Sequence, residues 1–399
     1  MSNAMDQAVQ LLTAWNELAV VNGDDSYCAL DAFIRQTDYR KIVLFTGRRS
    51  ADESGAVARV LASLRYTECG VVRFNNIPAE PDMSVVESMC DFLRAEEPDG
   101  VIALGGGSVL DAAKAAYIVY QSKLPLAECF GSNRITEKFP NRKFKRIIAV
   151  PTTSGTGSEI TQYSNIVNRS GGVKQLISDP VLVPELALLD AALTVSMPRS
   201  VTLATGCDAL AHLLEGYLNV QMDEGNDFIN RAAAVGIGLL RDNLATALNE
   251  PENLRARKAV QLASALGGLT IRNKSTGLPH LLSFSWFGRI EHGISAARLL
   301  PAAWRYYAES EKVALRTLEV GKVLGGKTPG EVIENYEKLL TAWQVPLLTD
   351  FPELDAELLQ RTCRSAGANR MKLELAPRPV PLEESEKILS AVLADAFQK

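Results

Sequence analysis

The chain has 399 residues, of which 47% are hydrophobic, and it carries a formal net charge of −5. Its length suggests two domains, and its apolar content is enough to bury large cores. The weak negative charge gives no reason to expect nucleic acid or an anionic membrane as a partner, and no apolar run approaches the roughly 20 residues of a membrane span.

In chain order, the first half alternates strand-like and helix-like segments. Strands are predicted at residues 41–47, 70–74, 100–104 and 146–150, and helices at 57–64, 84–93 and 112–120. Continuous apolar strands separated by helices are typical of a parallel sheet that is covered on both faces.

From about residue 196 the pattern changes to long amphipathic segments with few strand signals, as in 230–247 and 253–269. Such segments predict a helical second half. We therefore expect an α/β domain over residues 5–195 and a helical domain over 196–399.

Two glycine- and hydroxyl-rich turns directly follow predicted strands, where open parallel sheets bind their ligands. The segment 105–108 (GGGS) lets backbone N–H groups approach an anion at the start of a helix, although a plain strand-to-helix turn is the alternative. The segment 152–158 (TTSGTGS) offers donors to a phosphate or a ribose, and a flexible loop is its alternative.

The only three histidines of the chain are His212, His280 and His292. Asp208 and His212 stand four residues apart, so on a helix both side chains project from one face. Together the four groups form an N3O ligand set that suits Zn2+ or Fe2+ better than Mg2+ or Ca2+. The alternative is that they are scattered surface or core residues. However, the run around His212 is apolar, and a buried carboxylate and imidazole there would need partners.

Three segments in this order resemble the iron-dependent (group III) alcohol dehydrogenase family: 105–111 (GGGSVLD), 151–159 (PTTSGTGSE) and 204–212 (ATGCDALAH). The resemblance runs from about residue 20 to the C-terminal region. It implies a Rossmann-like dinucleotide-binding domain followed by an all-α domain. Together these domains would form a dehydroquinate synthase-like architecture with a cleft between them. It also implies a homodimer or a larger homo-oligomer.

The function implied is that of a metal-dependent oxidoreductase, which interconverts a small alcohol and an aldehyde or ketone by hydride transfer with a nicotinamide cofactor. The implied metal is Fe2+ or Zn2+, and its implied ligands are Asp208, His212, His280 and His292. Within this resemblance Asp111 would brace the glycine turn, and Lys174 would be a basic cofactor contact, unless it is a solvated surface lysine. The cofactor-binding residues expected in all are Gly47, Arg48, Gly105, Gly106, Gly107, Ser108, Asp111, Thr152, Thr153, Thr156 and Lys174.

The choice between NAD(H) and NADP(H) depends on the turn after the first predicted strand. An acidic residue there usually accepts hydrogen bonds from the ribose and repels a 2'-phosphate. Here Gly47 is followed by Arg48 and Arg49, which could attract that phosphate. We therefore favour NADP(H) over NAD(H), with two solvent-facing arginines as the alternative.

The chain departs from the family pattern near the third and fourth expected ligands. Phe284 stands where the family usually has a further, non-ligand histidine, the stretch to His292 is shorter, and Glu291 replaces a proline. An apolar ring would favour small or hydrophobic aldehydes over polyols. Two alternatives stay open: a core role for Phe284, Trp286 and Phe287, or selection of an anionic substrate by Arg272, Lys274 or Arg289.

Two other functions also stay open. One is an enzyme of the related glycerol dehydrogenase or dehydroquinate synthase branches, although segment 151–159 and the pair Asp208 and His212 favour the alcohol dehydrogenase branch. The other is a nucleotide-binding regulatory protein with an inactive site.

The six cysteines are dispersed without C-x-x-C spacing, so we expect reduced thiols. Reduced thiols and the lack of a signal-peptide pattern at the N-terminus together predict a cytoplasmic protein.

Overall fold

The computed structural model describes residues 3–15, 18–23 and 26–398, and it divides into two compact units. The first unit is formed by the described residues of Val9–Met197 and by Pro251–Gln261. The second is formed by Pro198–Glu250 and by the described residues of Leu262–Lys399 and Met1–Ala8. The domain bounds 5–195 and 196–399 stay a prediction, and residues 16, 17, 24, 25 and 399 within them lie outside the described residues.

A six-stranded sheet forms the centre of the first unit, with all its strands parallel in the order β1-β9-β6-β4-β2-β3. The predicted parallel sheet is thereby confirmed. Two of its strands, β1 and β9, were not predicted. The strands of this sheet are β1 (Ala19–Asn22), β2 (Lys41–Gly47), β3 (Gly70–Ile77), β4 (Gly100–Gly105), β6 (Ile148–Pro151) and β9 (Leu186–Leu189).

Helices cover both faces of this sheet because successive side chains of a strand point to opposite sides. In β2, Val43 and Phe45 pack into one core with α5 and α6, whereas Ile42 and Leu44 pack into another with α2 and α4. The first eight helices are α1 (Ala4–Thr13), α2 (Ser26–Gln36), α3 (Ser50–Glu53), α4 (Ala56–Leu64), α5 (Met83–Glu96), α6 (Gly107–Ser122), α7 (Leu126–Cys129) and α8 (Arg134–Lys138).

A smaller sheet, which the sequence did not predict, lies beside α6 in the same unit. It consists of β5 (Gly131–Ser132), β7 (Tyr163–Asn168) and β8 (Val173–Ser178). β7 and β8 pair antiparallel, and β5 pairs parallel with β8. Half of the residues in each of the two longer strands are polar, and they do not alternate with apolar residues, which leaves little strand pattern to detect.

The second unit is helical, which confirms the predicted class of the second half. Its central helix is α9, which is largely buried and packs against α10 and α13. In the part of the chain that the structure describes, no helix combines the length and apolar character that a membrane span needs. The later helices are α9 (Arg199–Leu218), α10 (Asp227–Asn249), α11 (Leu254–Asn273), α12 (Leu278–Ser283), α13 (His292–Ala308), α14 (Glu311–Leu324), α15 (Pro329–Ala342), α16 (Ala356–Gly367), α17 (Arg370–Glu374) and α18 (Ser385–Ala396).

Candidate metal and cofactor sites

Three helices of the second unit bring the four expected metal ligands together. Asp208 and His212 lie one turn apart on α9, His280 lies on α12, and His292 is the first residue of α13. The Oδ1 atom of Asp208 lies 3.7 Å from Nε2 of His212, 3.5 Å from Nε2 of His280 and 3.8 Å from Nε2 of His292. One carboxylate oxygen therefore faces three imidazole nitrogens.

These distances fit a shared cation. In a tetrahedral site with bonds of about 2.1 Å, neighbouring ligand atoms lie about 3.4 Å apart. Oδ1 of Asp208 and Nε2 of His280 are buried and have no hydrogen-bond partner, which is costly unless something else binds them. The ligand atoms of Asp208, His212 and His280 lie within 4.8 Å of one another, and His292, with 29% of its side chain exposed, is the most accessible of the four.

The electrostatics of the cluster favour positive charge beside Asp208. Burial alone would raise the pKa of this carboxyl, but the three imidazoles outweigh that effect and hold its pKa well below the usual range. For His280 burial lowers the pKa, and the carboxylates of Glu215 and Asp208 more than reverse this and raise it to about 9. A buried carboxylate that attracts protons onto its neighbours will also attract a divalent cation.

Two further side chains orient the imidazoles, and the sequence did not point to either. The buried carboxylate of Glu215 is bonded to Nδ1 of His280 and also accepts a 2.6 Å hydrogen bond from the backbone N–H of Gly277. Ser283 donates its only hydroxyl proton to the carbonyl of His280, so it accepts from Nδ1 of His292 at 3.1 Å. Both contacts place a proton on Nδ1, and Nε2 of each ring faces Asp208, the orientation that a metal ligand needs.

A glycine makes the approach of α13 to α9 possible. A Cβ atom on Gly293 would lie 1.9 Å from the carbonyl oxygen of Ala204 and 2.8 Å from the backbone nitrogen of Asp208. Any side chain at this position would force the two helices apart. His292 precedes Gly293 directly, so the close contact fixes where the fourth expected ligand stands.

The expected cofactor residues lie in the first unit, most of them at the carboxyl ends of strands of the large sheet, with Asp111 on α6 and Lys174 on β8 of the smaller sheet. β4 lies between β2 and β6, with Leu104 in register with Thr46 and Gly105 in register with Pro151. The carboxyl ends of the three strands therefore lie side by side. The turns that follow them hold Gly47 and Arg48, the glycine turn from Gly105 to Ser108, and the hydroxyl-rich loop with Thr152, Thr153 and Thr156.

The glycine turn and the hydroxyl-rich loop are in close contact. A Cβ atom would lie 3.1 Å from the side chain of Thr153 if placed on Gly106, and 2.6 Å from that of Thr156 if placed on Gly107. Helix α6 begins at Gly107, several residues earlier than predicted, and no side chain caps its first turn. Its first N–H groups are therefore not capped by a side chain, which suits an anion, and anion binding at this turn stays a prediction.

Asp111 does not brace the glycine turn as expected. Its carboxylate accepts hydrogen bonds from the hydroxyl of Ser158 at 2.6 Å and from the backbone N–H of Asn165 at 2.8 Å. Asp111 therefore braces the far end of the hydroxyl-rich loop and the start of β7.

The two expected basic contacts differ in their surroundings. Arg48 is exposed, and its Nε donates to the amide oxygen of Asn76 at 2.9 Å. Lys174 is 17% exposed and forms a 2.9 Å ion pair with Glu80, whose backbone N–H donates to the hydroxyl of Ser108. Lys174 is thus linked to the glycine turn through Glu80 rather than lying free in solvent.

The aromatic residues after His280 have separate roles. Phe284 stacks on the ring of His292, with centroids 5.9 Å apart and planes at 10°. Trp286 is fully buried and donates to the hydroxyl of Thr362, which is a core role. Phe287 is half-buried.

Of the basic residues considered as selectors of an anionic substrate, Lys274 is buried, and its ammonium group is held by Asp223 and Asn230 at 2.8 Å each. Arg289 is exposed and donates to the carbonyl of Glu353. The structure gives the alternative for Lys274 no support, because its ammonium group is held by these two side chains inside the helical unit.

Comparison with known proteins agrees with this arrangement. The sequence model described as iron-containing alcohol dehydrogenase matches residues 19–191, and that of the C-terminal part of the same family matches residues 202–391. The chain belongs to the iron-containing alcohol dehydrogenase family. The expected family resemblance is thereby confirmed.

Individual relatives of this family cover the chain to different extents. The bifunctional aldehyde-alcohol dehydrogenase AdhE of Escherichia coli K12 is 31% identical over 364 residues, which are 85% of this chain but 39% of that protein. The chain thus spans about two fifths of that relative's length. An alcohol dehydrogenase of Thermococcus barophilus is 29% identical over 83% of this chain and 85% of its own length.

A solved structure also has the same fold. The iron-containing alcohol dehydrogenase of Thermococcus thioreducens superposes with a TM-score of 0.86 at 25% identity, over 96% of this chain and 99% of that one. The predicted fold class, a parallel α/β domain followed by a helical domain as in dehydroquinate synthase, is confirmed.

Proposed function

We propose that this chain is a metal-dependent alcohol dehydrogenase, or aldehyde reductase, of small molecules, and that it uses a nicotinamide cofactor. The observation that carries the proposal is the single buried oxygen of Asp208 facing three imidazole nitrogens at 3.5, 3.7 and 3.8 Å. Family membership supports the reaction type.

In this proposal Asp208, His212, His280 and His292 hold one divalent cation. When bound, the cation supplies a Lewis acid that lowers the pKa of a substrate hydroxyl, and the nicotinamide supplies the hydride acceptor. Glu215 and Ser283 hold the Nδ1 protons of His280 and His292, so that the Nε2 atoms of both rings would face the cation. The ring of Phe284 beside His292 adds an apolar wall and carries no titratable proton.

The cofactor would bind in the first unit. Backbone N–H groups at the start of α6 and the dipole of this helix favour the pyrophosphate. The hydroxyls of Thr152, Thr153 and Thr156 supply further donors. This division of labour needs no nucleophilic side chain.

We propose Fe2+ as the metal, in keeping with the family, although the N3O set also suits Zn2+. The test is reconstitution of chelator-treated protein with each metal alone, followed by elemental analysis and by nicotinamide absorbance on addition of aldehydes. His280→Ala should lose both the bound metal and turnover, while Cys207→Ala, a buried neighbour on α9, should keep both. Full turnover by metal-free protein would refute the proposal.

We also propose that NADP(H) is preferred, because Arg48 is exposed beside the carboxyl end of β2 and no acidic side chain lies at Gly47. Arg48→Ala should lower kcat/KM for NADPH about tenfold and leave that for NADH unchanged, since a charged hydrogen bond contributes roughly 1.5 kcal/mol or more. Arg65→Ala, at another exposed arginine of the same unit, is the control. One structural relative of 23% identity, a sulfoacetaldehyde reductase, was solved with NAD+. A strong preference of the wild-type chain for NADH would overturn the proposed preference for NADP(H).

A cytoplasmic location and a homodimer or larger assembly complete the proposal. All six cysteines are free thiols in the structure, which suits a reducing compartment. Sedimentation at several protein concentrations would measure the assembly.

A further inference from the structure

The first unit contains a buried lysine to which neither the sequence nor the proposed reaction assigns a part. Lys114 lies on α6, one turn after Asp111, and is 2% exposed. Its ammonium group donates to the carbonyl of Ser158 at 2.6 Å, to the hydroxyl of Ser158 at 2.9 Å, and to the carbonyls of Thr161 and Tyr163 at 2.9 and 3.0 Å. A buried ammonium is costly unless such acceptors surround it.

The acceptors of Lys114 all belong to the segment that leaves the hydroxyl-rich loop. Ser158 is the last residue of the loop, and Tyr163 is the first residue of β7. The charge of Lys114 therefore gathers three carbonyls of one irregular segment around a single point on α6.

Asp111 completes the arrangement from the same face of α6. The hydroxyl of Ser158 accepts from Lys114 and donates to Asp111, whose other oxygen accepts from the backbone N–H of Asn165. The chain of bonds runs from a cation through one hydroxyl to a carboxylate. Both charged groups are hydrogen-bonded to other groups inside the protein.

The same helix also carries the glycine turn at its N-terminal end. Gly107 starts α6 and lies against Thr156, and Thr156 in turn accepts a 3.2 Å hydrogen bond from the backbone N–H of Ser158. The hydroxyl-rich loop is therefore held to α6 at two levels: by contact at Gly107 and by Lys114 two turns further on.

We infer that Lys114, acting through Ser158 and Asp111, is a positioning residue for the nicotinamide cofactor. It fixes the donors of the hydroxyl-rich loop relative to the N–H groups of the glycine turn, so that both reach one pyrophosphate at once. Lys114 itself does not touch the cofactor. This inference rests on the proposed function, since it presumes that these two turns bind the cofactor.

The test measures cofactor binding to metal-loaded protein by titration of NADPH and NADH fluorescence. Lys114→Met removes the ammonium group and keeps a side chain of similar length. The dissociation constant of the cofactor should rise at least about tenfold, while kcat at saturating cofactor stays within about threefold, because the chemistry is unchanged once the cofactor is bound.

Lys274→Met is the matched control. Lys274 is also fully buried and held by polar partners, but it lies in the helical unit. The control should lower Tm, as Lys114→Met does, and leave the cofactor dissociation constant within about twofold. An equal loss of cofactor binding in both variants would reduce the effect of Lys114 to general destabilisation and overturn the inference.

Ser158→Ala keeps the test decisive if Lys114→Met does not fold. It removes only the hydroxyl between the two charges and leaves Lys114 its three carbonyl acceptors. Its cofactor dissociation constant should rise about threefold, and an unchanged constant would overturn the inference. Failure of the wild type to bind either cofactor would instead refute the proposed function, and the inference with it.

Discussion

Replacement of Gly293 by alanine tests whether the helix contact beside Asp208 sets the metal site. The added Cβ would meet the carbonyl oxygen of Ala204 at 1.9 Å, whereas ordinary contacts begin at 3.4 Å. The difference means that α13 must move about 1.5 Å from α9, because backbone on both sides cannot give way as a flexible side chain can. His292, the neighbouring residue, moves with it.

Gly293→Ala should change two quantities, the free energy of unfolding and the affinity for the metal. Overpacking of this kind typically costs about 1–3 kcal/mol, and because Gly293 lies in the first turn of α13, the better helix propensity of alanine offsets little of that cost. The net loss of unfolding free energy is therefore modest. Metal sites, in contrast, tolerate errors of only about 0.2 Å in ligand position, so the affinity for the metal should fall by at least about 100-fold.

The assay is elemental analysis after gel filtration, together with a metal titration and a thermal melt of Gly293→Ala. Gly267→Ala is the control, because Gly267 also packs on α9 but its Cβ would lie 3.4 Å from the carbonyl of Ala209 and 3.5 Å from Cβ of His212, which is ordinary contact. The control should keep the metal and its Tm. If Gly293→Ala binds one metal per chain with wild-type affinity and melts at the wild-type temperature, the reasoning is refuted.

Three further changes probe other contacts. Glu215→Gln keeps an acceptor for Gly277 but removes the charge beside His280, so the dissociation constant of the metal should rise about 10- to 100-fold in a titration; wild-type affinity would show that the carboxylate is dispensable. Burial raises the pKa of Glu159 to about 7, above its unfolded value, so the wild type should lose about 3 kcal/mol of stability as the pH rises from about 4.5 to 7. Glu159→Gln should lack this loss, and parallel stability curves of the two proteins over that window would contradict it. Phe284→His should raise kcat/KM for polyols relative to apolar aldehydes, and an unchanged ratio across a panel of both would show the ring to be silent in substrate choice.

The sequence was sufficient to predict the strands that carry the expected cofactor turns, because β2, β4 and β6 are short apolar runs that end in glycine or proline. It was not sufficient for β9, since the run Leu186–Leu189 contains only leucine and alanine, which favour helices, or for the hairpin of β7 and β8, in which half of the residues are polar and do not alternate with apolar ones. The start of α6 was placed too late because glycine lowers helix propensity, whereas at the first turn that penalty matters little.

For the metal cluster, too, the sequence predicted only part of the structure. Side-chain type and the four-residue spacing of Asp208 and His212 were enough to nominate all four groups. Glu215 was missed, although an acidic residue within the apolar run of α9 was a usable signal, because burying a carboxylate requires a partner. That partner, His280, is far away in sequence, so only the folded structure identifies it. The hydrogen bond between Asp111 and Ser158 likewise joins residues that are far apart in sequence, so only the folded structure identifies it.

Helix α9 carries Asp208, His212 and Glu215 on one face. The number of residues that separate these three is therefore constrained more strictly than the identity of the residues in between. Each residue added or removed turns the rest of a helix by about 100° and shifts it by about 1.5 Å. A single insertion or deletion between Asp208 and Glu215 would thus swing one carboxylate away from the histidines while leaving the helix intact. Related chains that retain the metal should accumulate substitutions in this stretch without any change in its length.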